Sequence, residues 1–213
     1  IYFILAAFII VGTVNAVNIT DGVDGLASGT SIPVCLFFAA VSFLWGDKYM
    51  ALGIFASALL GGLMGFLVYN FNPAKVFMGD TGSLTLGFLI AFFGLKFYNL
   101  NINTDMFGIQ ATPAVFLGIV FIPAFDTLRV FCVRIASGLS PFYPDKRHIH
   151  HKMLRLGLTH FQSAMLIIVM QTCFILMNVL MKNVNINLLF GIDLLLGCLL
   201  YTSPSPRDRS VSR

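Results

Sequence analysis

Apolar residues run through this chain in long blocks separated by short polar stretches, and that blockwise pattern is its strongest structural signal. Seven blocks approach the roughly 20 apolar residues that cross a bilayer's hydrocarbon core. They are Ile1–Val17, Ser28–Trp45, Met50–Asn70, Ser83–Tyr98, Thr112–Ile135, Phe161–Met181 and Leu188–Tyr201. Each is expected to be a helix, because lipid offers no partner to unpaired backbone groups and the blocks lack the alternation of an outer-membrane strand. The expected fold class is all-α: a polytopic integral membrane protein with about seven transmembrane helices, forming one membrane-embedded domain over residues 1–200.

Composition strengthens this reading. The chain is 58% hydrophobic and only 10% charged, and 22 of its 213 residues are Phe. All nine acidic residues are Asp, which suggests that its few carboxylates are kept for particular places. Cys35, Cys132, Cys173 and Cys198 lie in or beside apolar blocks without metal-ligand spacing, and read as packing residues. Both ends look artificial. Ile1 falls inside an apolar run, so upstream helices are expected to be missing, and residues 201–213 (YTSPSPRDRSVSR) resemble a non-native tail. Without that tail's three arginines and one aspartate, the net charge falls from +4 to +2, leaving nucleic-acid binding without electrostatic support.

Parity sorts the polar stretches. The loops after the first, third and fifth blocks, Asn18–Ala27, Phe71–Gly82 and Ala136–His160, emerge on one face and, with the adjoining helix end, hold Lys75, Arg134, Lys146, Arg147, Lys152 and Arg155. The loops on the other face are short or Asn-rich, with only Lys48 and Lys182 as cations. The positive-inside rule makes the first face cytoplasmic.

Each of the three loops has a chemical reading and a plainer one. In the first, Asn18, Asp21 and Asp24 would share a helical face, with Gly22 and Gly25 allowing close backbone approach. That suits a hard cation or a diphosphate bridged by one; the plainer reading is a helix cap. In the second, Lys75 precedes Asp80, Thr81 and Ser83 at the start of a helix, where N–H groups favour phosphate. A simple N-cap is its rival. The third carries Asp126 and Arg129 near the helix end, then Asp145-Lys146-Arg147-His148-Ile149-His150-His151. His148 and His151 are expected on one helical face and His150 on another, serving as metal ligands, phosphate contacts or surface decoration. Zinc lacks support, since neither a Cys partner nor HExxH accompanies them.

Together the stretches NAVNITDGVDGLASG (Asn15–Gly29), FNPAKVFMGDTGSLTLG (Phe71–Gly87) and PAFDTLRVFCVRIASGLSPFYPDKRHIHH (Pro123–His151) resemble the polyprenyl-phosphate N-acetylhexosamine-1-phosphate transferase superfamily, glycosyltransferase family 4. The interrupted HIHH run followed by KMLRLG is similar to the branch that makes polyprenyl-diphosphate-GlcNAc. The alternative is the peptidoglycan branch, phospho-N-acetylmuramoyl-pentapeptide transferase, which carries consecutive histidines followed by acidic residues. The resemblance implies transfer of a sugar-1-phosphate from a UDP-N-acetylhexosamine to undecaprenyl or another polyprenyl phosphate, releasing UMP. It also implies a bacterial inner membrane, with the active site facing the cytoplasm.

By motif position it implies Mg²⁺, with Mn²⁺ as a substitute ion, held by Asp80 and Asp24. Asp24, Asp80, Asp126, His150 and His151 would be catalytic. Asn18, Asp21, Lys75, Arg147 and His148 would bind substrate, and a homodimer is one assembly open to the protein. The chain lacks the acidic DDxxD-type cluster that members carry on an earlier loop, so this fragment alone is expected to be inactive. The distant rival is a polytopic transporter, which would place its polar groups at the membrane midplane rather than in loops at one face.

Overall fold

The computed structural model describes residues 2–104, 109, 111–140 and 148–201, and among these every regular element is a helix. They are α1 (Tyr2–Thr20), α2 (Leu26–Leu44), α3 (Met50–Asn70), α4 (Gly79–Thr104), α5 (Thr112–Ile119), α6 (Phe121–Ala136), α7 (Ile149–Arg155), α8 (His160–Leu180) and α9 (Ile186–Tyr201), with a 3-10 turn at Asp47–Tyr49. Five segments are long and apolar enough to cross a membrane: Phe3–Thr20, Leu26–Leu44, Asp47–Asn70, Gly79–Asn101 and His160–Leu180. The protein is a multi-pass, all-helical membrane protein. Of the expected non-native tail, residues 201–213, Tyr201 ends α9 and residues 202–213 lie outside the described residues.

Two of the seven expected spans take a different form. The block Thr112–Ile135 is divided into α5 and α6, bent by 83°. Pro123 explains the position of the break: it has no N–H to offer Ile119 four residues earlier, and its ring crowds that carbonyl. The last block, α9, has 16 residues, short of a full crossing.

α2 packs between α3 and α8, while α1 lies against α4 and α6. The main core is aromatic: Phe38 stacks on Phe93 at 5.5 Å and Trp45 on Phe97 at 5.8 Å, joining α2 to α4. The opposite faces present Phe3, Phe8, Val68 and Leu180 outward, as expected of surfaces facing acyl chains. α1 and α4 approach closely at Gly87, where a Cβ would stand 2.7 Å from the Val14 Cα. Thr159 and Gln162 form a capping box that starts α8.

Candidate active site

The first loop splits its carboxylates between two neighbours. α1 ends at Thr20, residues 21–25 form turns, and Gly25 takes φ +74° before α2 begins. Asp21 and Asp24 therefore do not share a helical face as expected, because the helix stops before them. Asp24 Oδ2 accepts hydrogen bonds from Asn72 Nδ2 and the Ala74 N–H, both at 3.1 Å. Asn70 laces the same two loops together: its Oδ1 accepts from Gly25 N–H at 3.1 Å and Ser28 Oγ at 3.0 Å, and its Nδ2 donates to Val76 O at 2.9 Å.

Asp21 turns toward α4 instead. Burial first, and then the negative charge of Asp80, push its carboxyl up from the ordinary range, while the Gly79 backbone pulls it the other way. Asp80 is exposed in the first turn of α4. Asn18, on the last turn of α1, donates through Nδ2 to Asp80 Oδ1 at 3.1 Å and to buried Ser83 Oγ at 2.8 Å. Asn18, Asp21 and Asp80 thus form one group. Asp24, on the same turn as Asp21, is instead bonded to Asn72 and Ala74 of the second loop, where Lys75 is exposed.

The third loop supplies a sealed counterpart. Asp126 on α6 is 3% exposed. Its Oδ2 meets His148 Nδ1 at 2.8 Å and its Oδ1 accepts the Ile149 N–H at 3.0 Å. α7 begins only at Ile149, with His148 extended just before it, so His148 and His151 do not share a helical face. The parallel rings are those of His148 and His150, 6.0 Å apart, with His151 next to His150 at 4.2 Å. Burial first, then the neighbouring His151, hold His150 down at about 4, so it is neutral at physiological pH. Burial, then Arg129 and Arg155, also lower Lys152, marking a cationic group on this side. Arg147 lies outside the described residues, as does the rest of Pro141–Arg147.

The acidic and histidine loops meet at Gly22, where a Cβ would stand 3.6 Å from His150 Cε1 and Nε2. Asn70 and Asn72, which tie the first two loops together, had no distinguishing signal in sequence beyond their place at the end of an apolar block. The fourth histidine, His160, lies ten residues beyond His150 and past α7, yet is near enough to act on it electrostatically, which its place in the sequence does not announce.

The oxygen donors of Asp80 and Asp21 fit a hard divalent cation. Among the described residues, no group of three His, Cys, Asp or Glu converges on a metal position. Two carboxylates suffice for Mg²⁺, which keeps waters and takes substrate phosphates as further ligands.

Residues 1–98 match the family profile described as Glycosyl transferase family 4. The chain is 39% identical over 177 residues to the "Probable undecaprenyl-phosphate N-acetylglucosaminyl 1-phosphate transferase" of Bacillus subtilis, covering 83% of this chain and 47% of that protein. It is 34% identical over 170 residues to the undecaprenyl-phosphate alpha-N-acetylglucosaminyl 1-phosphate transferase of Escherichia coli K12, covering 78% and 44%. A phospho-N-acetylmuramoyl-pentapeptide-transferase of Caldanaerobacter subterraneus is 56% identical, but over 90 residues, 42% of this chain and 28% of that protein. The chain spans about half the length of the first two relatives. Its polar loops, gathered at one end of an apolar helical bundle, agree with these matches: the chain belongs to glycosyltransferase family 4.

Proposed function

We propose that the protein transfers N-acetylglucosamine-1-phosphate from UDP-N-acetylglucosamine to a polyprenyl phosphate, releasing UMP. The observation that supports this best is the meeting at Gly22 of a carboxylate group (Asp21, Asp80) with a histidine group (His148, His150, His151). Two anionic substrates need their repulsion screened and their reacting atoms held in line, and neither need calls for a strong base. An oxygen of the lipid phosphate forms a bond to the sugar-proximal phosphorus. The bond from that phosphorus to the bridging oxygen breaks, and UMP leaves with the electron pair.

Asp80 and Asp21 would hold Mg²⁺, with the second oxygen of Asp24 as a further donor; when bound, the ion neutralises charge on the diphosphate. Asn18 keeps Asp80 in place through its 3.1 Å bond. His150, being neutral, donates a hydrogen bond to phosphate without adding charge, while Arg147, Lys152 and Arg155 supply the positive field. Asp126 orients His148 and, through the Ile149 N–H, the start of α7.

The test uses membranes carrying the protein with whatever sequence its gene encodes upstream of Ile1. UDP-GlcNAc and polyprenyl phosphate should give Mg²⁺-dependent UMP release; absence of release with every UDP-N-acetylhexosamine would overturn the reading. The site faces the cytoplasm of a bacterial inner membrane. Cysteines at Val76 and Arg155 should accordingly label from the cytoplasmic side and one at Lys48 from the other, and labelling of all three from one side would contradict it.

A further inference from the structure

The carbonyl that Pro123 leaves without a donor is served from another helix. Gln171, fully buried on α8, donates through Nε2 to Ile119 O. Its Oε1 accepts from the Ile122 N–H at 3.1 Å, taking the place of the Gly118 carbonyl that an unbroken helix would provide. One side-chain amide therefore replaces a lost donor and a lost acceptor on the two sides of the same break. In apolar surroundings neither group would find water. Asp126 stands four residues beyond Ile122, about one turn along α6, and fixes both His148 and the start of α7.

We propose that Gln171 is a positioning residue: it clamps the α5–α6 bend, and so sets where Asp126 holds the histidine loop against the acidic one. The proposal rests on the transferase reading for its functional consequence, but not for its geometry. Gln171 itself touches no substrate. Its action passes through the angle of α6, whose far end at Ile135 lies about 22 Å from the break at 1.5 Å per residue. Relaxing the bend by 20° would carry Ile135 roughly 8 Å on that lever.

The test measures that swing directly. Exposed Cys132, Cys173 and Cys198 are replaced by Ala, and spin labels are set at exposed Ile135 on α6 and exposed Leu176 on α8. In Gln171→Leu, which can neither donate nor accept, the distance between labels should shift or broaden by several ångströms, with kcat for UMP release falling about 100-fold, as expected of ångström-scale misplacement. Gln171→Glu, which keeps the acceptor and, protonated in that apolar setting, the donor, should restore both. If Gln171→Leu fails to reach the membrane, the same change is made with Pro123→Ala, where residue 123 can serve Ile119 O and the arm should straighten. An unchanged distance in whichever Leu variant folds overturns the clamp. A shifted distance with unchanged turnover overturns its link to the site. If the parent protein releases no UMP, the transferase reading falls, and the label distance alone decides the clamp.

Discussion

Asp80 stands exposed in the first turn of α4, with Asn18 on one side and the charge of Asp21 on the other. Asp126 is buried, with both oxygens engaged by His148 and Ile149. The two carboxylates belong to the same site but are built for different work. An exposed carboxylate with a carboxylate neighbour still has oxygen donors to offer an incoming cation or a bridged phosphate. A buried one whose acceptor positions are taken can only hold other protein groups in place. On the proposed transferase reading, exposure separates the group that would meet substrate from the group that aims its neighbours.

The largest effect that would sharpen this contrast comes from Asp80→Asn. It should lower UMP release about 1000-fold, the upper range for removing an electrostatic group aimed at developing charge, with the melting temperature unmoved. A large drop in melting temperature would break the distinction. Asp126→Ala should behave in the opposite way: turnover falls about 100-fold, as for groups that orient a ligand-holding histidine. Stability should fall with it by about 3 kcal/mol, because a buried partner is left uncompensated. Comparing thermal unfolding in detergent with activity separates the two patterns.

A third, smaller effect concerns pH. His150 is held at about 4 in the folded protein, against 6.5 for the unperturbed group. Between these values the unfolded chain binds the proton and the folded one does not, so stability should decline as pH falls from 6.5 toward 4 and be flat above that window. His150→Gln should flatten the melting profile there, and an equally steep profile in the variant would count against a neutral His150. Smallest of all, Lys75→Ala should raise KM for the UDP-sugar only a few-fold, an effect that fades with added salt, since an exposed cation is screened. A kcat effect instead would move Lys75 into the reacting group.

Much of this arrangement was legible in the chain. The apolar blocks announced helices, and the parity of polar loops predicted that Asn18, Asp80 and the histidines would gather at one end, because a helix that crosses a bilayer alternates its ends. The bend in the fifth block was hidden. Thr112–Ile135 is uniformly apolar, and whether Pro123 kinks a helix slightly or divides it depends on Gln171, 48 residues later on another helix. The pairing of Asp21 with Asp80, and of His148 with His150, was hidden for a related reason. Both depend on where a helix stops or starts and on partners distant in sequence: the Gly79 backbone is bonded to Asp21 just past α1, and Asp126 accepts the first N–H of α7. Asn70 gave no sign of its three hydrogen bonds, since an Asn at a block's end usually faces water.

Gly87 has a consequence well beyond its own position. Val14 faces it across the α1–α4 contact, and Asn18 faces Ser83 one turn nearer the mouth, so the two helices run side by side like the arms of tweezers. The backbone of Val14 cannot yield to an added methyl as a side-chain tip could. A single carbon at residue 87 would pry the arms apart and lift Asn18 from Asp80 without touching either. The spacing at the tips is thus gauged at a pivot that carries no chemistry at all.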